Sequence, residues 1–426
     1  MRRDFLKLCG LAGLGLALPF RPAWARAELA GDTPYEGPYY VVFNASGGWD
    51  TTYLMDPKGT GGINRLYAEG DILTRGAHRY APIRKHAAGG LCNEDFYTEF
   101  GDELLVINGL DYSVNNHSPG ARYKATGKLD SLAYPTFAAL VAACRGPACP
   151  LAFLTFGNYS ATGNLVAMAR VPYLPSLRKI ALADMVEANP RKPYHDRFAL
   201  DRIEAALRAE HEALGQQPRL PRAERGENML YAGQANSKSL ERVVQYIPSS
   251  IPRERLAQQA EIALASFKAG VCVSANLSIG QFDSHANNDR DQMKLIPEFL
   301  AGIAYMVRRA GELKIREQLV VVVQSEMGRT PNYNTGNGKD HWSIGSVMVL
   351  GRGIKGNRVV GATDDKQFAV PLDPKTLRLD KEKGIRVRPE HVHEALREYA
   401  GIADHPFSKK FPLGVADKDK LRGFWG

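Results

Sequence analysis

Short apolar runs recur along this chain, and most of them end in glycine or in polar residues. Six such runs predict strands, at residues 39–50, 102–109, 151–156, 271–280, 318–328 and 346–353. The run QLVVVVQSEMG at 318–328 is the strongest, because four consecutive valines suit a strand that is buried on both faces.

Helical patterns lie between these runs. They predict helices at Tyr134–Cys144, Leu240–Lys268 and Ile296–Leu313, and Pro248 and Pro252 are positions at which the second would break. Strands that alternate with helices predict an α/β fold, with a mostly parallel central sheet and helices on both faces.

The stretch from 185 to 262 differs from the rest. It is charged and helix-forming, as in DRIEAALRAEHEAL, and no strand pattern stands out in it. We expect a helical insertion or cap on a single domain that spans residues 28–426. The chain shows no internal repeat and no low-complexity tract.

The composition is that of an ordinary globular protein, with 44% hydrophobic and 24% charged residues among 426. The formal net charge is +9, and the first 27 residues carry four of these charges, from Arg2, Arg3, Lys7, Arg21 and Arg26 less Asp4. The remainder has no basic tract and no aromatic ladder. We therefore expect no nucleic-acid partner, while a small anionic substrate remains compatible with the charge.

The first 27 residues predict an export signal. Paired arginines in RRDFLK precede an apolar run from Leu8 to Phe20, which is too short to span a bilayer, and Ala-x-Ala sites end at Ala25 and Ala27. RRDFLK resembles the twin-arginine motif, which the twin-arginine export machinery reads; an ordinary secretory signal is the alternative. We expect a periplasmic or extracellular protein without a membrane anchor in its mature form.

Cys144 and Cys149 flank a short loop, RGPA, which leaves two readings open. In an oxidising compartment the two cysteines can form a disulfide, or they remain two thiols. No pair of cysteines has the Cys-x-x-Cys spacing of a zinc site.

Carboxylates and imidazoles follow several of the predicted strands. In chain order the candidates are Asp50, His117, Asp283, His285, Glu326, Asp340 and His341. Ligand sites of parallel sheets form outside the carboxyl ends of the strands, so we expect these side chains to meet. Each also has a plain alternative, as a turn aspartate or a solvated loop residue. Together they predict one or two divalent ions, Zn²⁺, Mn²⁺ or Mg²⁺.

The order of four motifs resembles that of the alkaline phosphatase and sulfatase superfamily. They are GGWD, FDSH, SEMGRTP and GKDHW, the last leading into SVMVLGRGIKG. The closer resemblance is to an exported branch, the domain of unknown function fifteen-oh-one, over residues 38–403. This resemblance implies a three-layer fold and a metal-dependent ester hydrolase.

The resemblance also implies roles for individual residues. Asp50 matches a metal ligand after the first strand, Asp283 and His285 match ligands of the other metal, and Glu326, Asp340 and His341 complete the set. Met327 stands where the superfamily usually has a ligating histidine.

The stretch HSPGARYKATG at 117–127 has no obvious helix or strand period, and its proline and glycines predict a turn. In sulfatases the nucleophile begins a Cys-x-Pro-x-Arg stretch, and here His117 stands at that position. His117 can be a metal ligand that replaces the one missing at Met327, or a nucleophile, or Ser118 can take over. We rank the ligand role first, with a metal-activated water as attacking group.

Arg122 and Arg329 are candidates for gripping a phosphate or sulfate group, although both can also be surface charges. Two functions therefore remain open. The first is an exported metal-dependent hydrolase of a phosphate or sulfate ester. The alternative is a catalytically inactive secreted binding or assembly protein on the same fold.

Overall fold

The computed structural model describes residues 34–425 except 85–89, 148, 158, 183, 188–191, 218–219, 221–222, 224–239 and 251. The predicted signal at 1–27, with both cleavage positions, lies outside the described residues. Within them, no helix combines the length and the apolar character needed to cross a bilayer.

The strands, in chain order, are β1 (Tyr39–Ala45), β2 (Leu73–Arg75), β3 (His78–Tyr80), β4 (Leu104–Asp111), β5 (Phe153–Thr155), β6 (Met168–Ala169), β7 (Met185–Glu187), β8 (Lys192–Pro193), β9 (Ser274–Ile279), β10 (Leu319–Ser325), β11 (Gly328–Arg329), β12 (His341–Trp342), β13 (Ile344–Gly351), β14 (Arg358–Val360), β15 (Ala362–Thr363) and β16 (Ala369–Val370). All six apolar runs contain or overlap one of these strands.

The helices are α1 (Asn93–Phe100), α2 (His117–Thr126), α3 (Phe137–Arg145), α4 (Leu174–Ala181), α5 (Arg197–Gly215), α6 (Arg255–Lys268), α7 (Asn288–Glu312), α8 (Pro389–Tyr399) and α9 (Pro406–Lys410). Short 3₁₀ turns occupy Thr51–Tyr53, Glu69–Asp71, Gly101–Glu103, Glu241–Tyr246, Arg316–Gln318 and Asp417–Asp419. The predicted helix at 240–268 is thus divided at its prolines, and α6 begins after Pro252.

One eight-stranded sheet forms the centre, in the order β14-β4-β13-β10-β1-β9-β5-β6. Every pairing in it is parallel except the two that β13 makes with β10 and β4. The predicted mostly parallel sheet is confirmed. The exception has a consequence for the site, because an antiparallel strand begins at the edge where its neighbours end.

Successive strand residues face opposite sides of the sheet, and each side has its own core. Val41, Phe43, Val321 and Val323 lie in one core, to which α1, α4, α6 and α7 also contribute. Their chain neighbours, such as Tyr40 and Val322, lie in the other core with α3 and α8. This alternation confirms a three-layer α/β arrangement with helices on both faces.

The stretch 185–262 is less uniform than its composition suggests. It contains the antiparallel pair β7–β8, whose few residues carry too little pattern to be recognised in the sequence. Its last helix, α6, is buried along most of its length in the core. Helix α5 belongs to a separate compact unit, and none of its residues is buried.

The prediction of a turn at 117–127 is wrong, because residues 117–126 form helix α2. The Asn116 side chain caps its start by accepting a hydrogen bond from the Ser118 backbone N–H (3.2 Å). Pro119 is tolerated because it lies in the first turn, where the backbone N–H has no partner within the helix. Gly127 ends the helix in the left-handed conformation, at φ +71°.

Cys144 and Cys149, for which a disulfide and two thiols were both open readings, are free thiols.

We predict that Asn116→Ala destabilises the protein by about 1 kcal/mol, because helix α2 loses its N-terminal cap. Chemical unfolding of the variant and the parent measures the difference. Asn116→Asp is the matched control, since its carboxylate can accept the same hydrogen bond. Equal unfolding midpoints for the alanine and aspartate variants would show that the cap contributes nothing.

Candidate metal centre

Four segments meet at one edge of the sheet. Strands β1, β9 and β10 end level with one another, since Ala45 pairs with both Ile279 and Ser325. Strand β4 ends at the same edge, and β13, which is antiparallel, begins there. The loops after β1, β4 and β9 and the connection from β10 to β13 therefore come together, as expected for a ligand site of this fold class.

Three of the predicted ligands form a compact group at this edge: His117, Asp283 and His341 each offer one atom, and these atoms all lie within 4.8 Å of one another. The Asp283 carboxylate is the centre of the group. Its Oδ2 lies 3.3 Å from His117 Nε2, and its Oδ1 lies 3.2 Å from His341 Nε2. In the part of the chain that the structure describes, this is the one group of three or more such residues with metal-binding spacing.

His285 adds a third imidazole beside this group. Its Nε2 lies 3.1 Å from Asp283 Oδ1 and 3.0 Å from His341 Nε2. Its Nδ1 lies 2.8 Å from a carboxylate oxygen of Asp340. Hydrogen bonding to His285 lowers the pKa of Asp340, so this carboxylate is an acceptor at neutral pH. Asp340 thus orients a histidine and has no direct place among the three clustered ligands.

Hydrogen bonds at Nδ1 fix which nitrogen of each ring carries the proton. His341 Nδ1 lies 2.8 Å from the Asn115 carbonyl oxygen, which can only accept, so this nitrogen donates. His285 Nδ1 faces Asp340 and His117 Nδ1 faces Glu326, both acceptors when ionised. The neutral tautomer with Nδ1 protonated leaves the Nε2 lone pair of each ring directed at Asp283.

This arrangement places two nitrogen lone pairs and a carboxylate, which repel one another, close together. With both rings in that tautomer, the Nε2 atoms of His285 and His341 approach to 3.0 Å without a proton between them, beside an anionic carboxylate. A cation at this point would turn the mutual repulsion into attraction. Histidines whose Nδ1 is held by a carboxylate or carbonyl are a recurrent feature of metal sites, because the outer partner sets the tautomer and the ring orientation.

Asp283 is held in place by a buried arginine. Arg329 Nη2 donates to Asp283 Oδ1 at 2.8 Å, and the same nitrogen donates to the Gly47 carbonyl. Nε and Nη1 bond the carbonyls of Gly48 (2.7 Å) and Lys339 (3.1 Å). Burial alone would raise the pKa of Asp283, but the hydrogen bond and the charge of Arg329 lower it to about 2.

Arg329 was expected to bind a phosphate or sulfate group, and this geometry does not agree with that role. Its side chain is fully buried and its nitrogens are already bonded. Arg122 likewise donates from Nε to the Leu129 carbonyl (2.8 Å), in the turn that follows α2. Ser118, the alternative nucleophile, lies exposed at the second position of α2.

Glu326 supports His117 from behind. The almost fully buried carboxylate accepts from the Gly47 N–H (2.6 Å), from Lys124 Nζ (3.2 Å) and from His117 Nδ1 (3.3 Å). Although burial would raise the pKa of Glu326, Lys124, His117 and the Gly47 N–H lower it to about 2. The hydrogen bond to Glu326 in turn raises the pKa of His117.

The sequence reasoning missed Lys124. His117, Gly120 and Lys124 are spaced three and four apart, so in a helix they share one face. That face lies against Glu326, and a Cβ at Gly120 would come within 2.7 Å of the Glu326 carbonyl oxygen. The spacing was visible in HSPGARYKATG but has meaning only once the stretch is recognised as a helix.

Asp50 is not among the clustered ligands. Its fully buried carboxylate binds the equally buried Lys339 ammonium at 2.7 Å. It also accepts from Asn288 Nδ2 (3.0 Å) and from the backbone N–H and hydroxyl of Thr52 (3.1 and 2.6 Å). These four donors leave little capacity for a metal ion. Lys339, the second residue that the sequence reasoning missed, directly precedes Asp340 in the GKDHW motif.

The donor set at the cluster fits a divalent ion. Imidazole nitrogens with one carboxylate oxygen are ligands typical of catalytic Zn²⁺, which retains an open position for water or substrate. Mn²⁺ accepts the same set, whereas Mg²⁺ prefers a shell of oxygen atoms. Asp283 is 41% exposed, so the cluster can be reached from solvent.

Solved structures similar to this chain include two sulfatases and a phosphatase. A 2-O GAG sulfatase is 12% identical, covers 91% of this chain and 75% of its own, and gives a TM-score of 0.33. The sulfatase PsFucS1 from Pseudoalteromonas sp. is 10% identical over 91% of this chain and 71% of its own, with a TM-score of 0.40. Alkaline phosphatase from the Antarctic bacterium TAB5 is 10% identical over 86% of this chain and 99% of its own, with a TM-score of 0.35.

No curated protein matches the sequence at a significant level. The model of one sequence family, "protein of unknown function (DUF1501)", matches residues 93–378, which is more than half of the chain. The matched range includes the candidate metal ligands His117, Asp283 and His341. As its motifs indicated, the chain belongs to the DUF1501 family.

Proposed function

We propose that this protein is a metal-dependent hydrolase that acts on a sulfate or phosphate ester outside the cytoplasm. The observation that carries the proposal is the convergence of three histidine Nε2 atoms on the Asp283 carboxylate, each with its Nδ1 against an oxygen acceptor. Three imidazoles held in this way around one carboxylate are the arrangement that a metal site requires, which favours a binding role for the group.

A bound divalent ion would polarise an ester oxygen and lower the pKa of a water molecule. The chain's own residues prepare this site. Glu326 and Asp340 hold the rings of His117 and His285, and Arg329 holds Asp283, so no ligand has to reorganise on binding. Because these outer partners, Glu326, Asp340 and Arg329, are buried or form at least two hydrogen bonds, the geometry of the site is fixed before substrate arrives.

We further propose that the centre takes a single divalent ion. The second ion that the superfamily resemblance implies would need Asp50, and in this chain the Lys339 ammonium supplies the positive charge there. Lys339 also accepts from Arg329 through its carbonyl oxygen, so this internal cation is linked to the arginine that holds Asp283.

Two features favour the alternative of an inactive binding protein. His117 stands at the expected nucleophile position but contacts two carboxylates, and Met327 is buried where the superfamily usually has a ligand. Metal binding is common to an enzyme and to a metal-stabilised binder, so turnover separates the two. Export by the twin-arginine route, as the sequence suggests, would let either one load its ion before secretion.

We predict that the purified protein retains one divalent ion and that His341→Ala abolishes this retention, because the cluster loses a central ligand. Elemental mass spectrometry of metal-free and reloaded samples measures the stoichiometry. His211→Ala, on helix α5, is the control and should retain the ion. Equal retention in both variants would contradict the assignment of the site.

The Asp50–Lys339 pair gives a second prediction. Lys339→Met should destabilise the fold by roughly 3–5 kcal/mol, since it leaves a buried carboxylate without its partner, whereas Asp50→Asn/Lys339→Met should recover most of that loss. Arg316→Met, which breaks an exposed ion pair with Glu103, should cost under about 1 kcal/mol.

Metal binding by the stable double variant tests the role of Asp50. If Asp50 were a ligand, Asp50→Asn/Lys339→Met would lose an ion; we expect unchanged stoichiometry. Titration with Zn²⁺ and Mn²⁺ makes the measurement.

We expect the reloaded protein to hydrolyse at least one member of a panel of aryl and alkyl phosphate and sulfate esters, and the His341→Ala variant to hydrolyse none. Release of inorganic phosphate or sulfate gives the rate. A protein that binds its ion but releases neither anion from any ester would be a binding protein.

A further inference from the structure

A surface cleft opens beside the metal centre. It has a volume of about 650 Å³, within the range of small-molecule sites, and Asp340 forms part of its wall. Trp342, two residues further along, lines it as well. The segment 340–342 therefore contributes an orienting carboxylate and a metal-binding imidazole to the centre and an indole ring to the cleft.

Three aromatic side chains, Tyr333, Trp342 and Phe368, line the cleft, and the polar atoms of the first two form hydrogen bonds within the protein. Trp342 Nε1 donates to the Gln367 carbonyl (2.9 Å), and the Tyr333 hydroxyl donates to Asp289 (2.7 Å). Phe368 packs edge-on against Trp342, with ring centroids 5.1 Å apart, and is 48% exposed. Trp342 and Phe368 offer a ligand carbon surface, whereas the Tyr333 ring already has the Arg65 guanidinium 3.9 Å from its centroid.

The charged groups of the lining are acidic in balance. Thr60 and Asn332 contribute a hydroxyl and an amide, Asp365 and Lys366 are adjacent opposite charges, and Asp340 adds a further carboxylate. A polyanion such as a nucleic acid or polyphosphate would need several cations here. A purely apolar ligand would favour an enclosed pocket without hydroxyl and amide groups. The lining suits a ligand that combines C–H faces with many neutral hydroxyl groups.

Both walls of the cleft are tied together. Thr363 Oγ1 donates to Asp56 (2.6 Å), and Lys58 Nζ donates to the Thr363 carbonyl (3.4 Å). These contacts connect the segment that leads to Thr60 and Ile63 with the one that leads to Lys366 and Phe368. A cleft held by such cross-links loses little conformational entropy when it binds a ligand.

We propose that this cleft binds a saccharide, and that the protein's substrate is a sugar esterified with sulfate or phosphate. The inference rests on the proposed hydrolase function: the ester group would lie at the His117–Asp283–His341 group while the sugar ring stacks on Trp342 and Phe368. Hydrolysis adds water across the ester, so a free sugar hydroxyl and inorganic sulfate or phosphate leave the site.

The test compares two classes of ester. The sugar panel contains 6-sulfates and 6-phosphates of a hexose, an N-acetylhexosamine and their di- and trisaccharides, and methyl sulfate and methyl phosphate serve as small esters without a ring. Trp342→Ala and Phe368→Ala should each raise KM for the preferred sugar ester about tenfold, equivalent to about 1.4 kcal/mol. Their loss of kcat/KM on the methyl esters should be smaller, because a methyl group offers no ring face for Trp342 and Phe368 to stack on.

Phe198→Ala is the matched control, since Phe198 is 71% exposed on helix α5 and lies outside the cleft lining. It should change neither class of ester. Equal losses on both classes in Trp342→Ala, or no preference of the parent for any sugar ester, would overturn the saccharide assignment while leaving the hydrolase proposal intact.

A direct binding measurement tests the sugar cleft independently of the hydrolase proposal. Intrinsic tryptophan fluorescence of the His341→Ala variant, which lacks the metal site, should still respond to the unesterified di- and trisaccharides at millimolar concentration. A response without turnover of any ester by the parent would remove the hydrolase proposal and retain the sugar cleft. Absence of a response to every saccharide would show that the cleft binds no sugar.

Discussion

The Asp283 carboxylate is the contact on which the rest of the site depends. It lies within 3.3 Å of His117, His285 and His341, and it receives a charged hydrogen bond from the buried Arg329. These residues come from three segments that are far apart in the sequence. A single partly exposed carboxylate therefore defines where three rings converge, and the groups behind them determine the directions from which they do so.

Two buried lysines support this arrangement in the same way. Lys124 neutralises Glu326 behind His117, and burial lowers the pKa of that ammonium while Glu326 opposes the effect. Lys339 neutralises Asp50 one residue before Asp340. Breaking a buried ion pair lowers the free energy of unfolding because the remaining charge has no partner. Each pair therefore holds the segment that carries it firmly in position. The ammonium groups of Lys124 and Lys339 therefore stabilise the centre independently of any metal ion.

Much of the fold could be predicted from the sequence, because valine-rich runs and proline breaks are local signals. The convergence of His117, Asp283 and His341 was also predictable, since residues that follow parallel strands meet at one edge. The helical state of 117–126 was not, because Pro119 and Gly120 suggest a turn and the cap on Asn116 is a single hydrogen bond. The pairings of Asp50 and Arg329 could not be predicted either: both depend on packing between segments more than 40 residues apart, and a sequence pattern shows the charge but not its partner.

The antiparallel direction of β13 has a further consequence. In a sheet with parallel strands alone, every residue at the functional edge must come from a loop that leaves a strand and then crosses back over the sheet. Here the chain passes from the end of β10 to the start of β13 at one edge, through residues 326–343, without a covering helix. This segment can therefore gain or lose residues without displacing a helix or a strand of the central sheet. The same segment carries both a candidate ligand, His341, and the cleft residues Tyr333 and Trp342, so a change in its length would alter the site and the cleft while the central sheet stays the same.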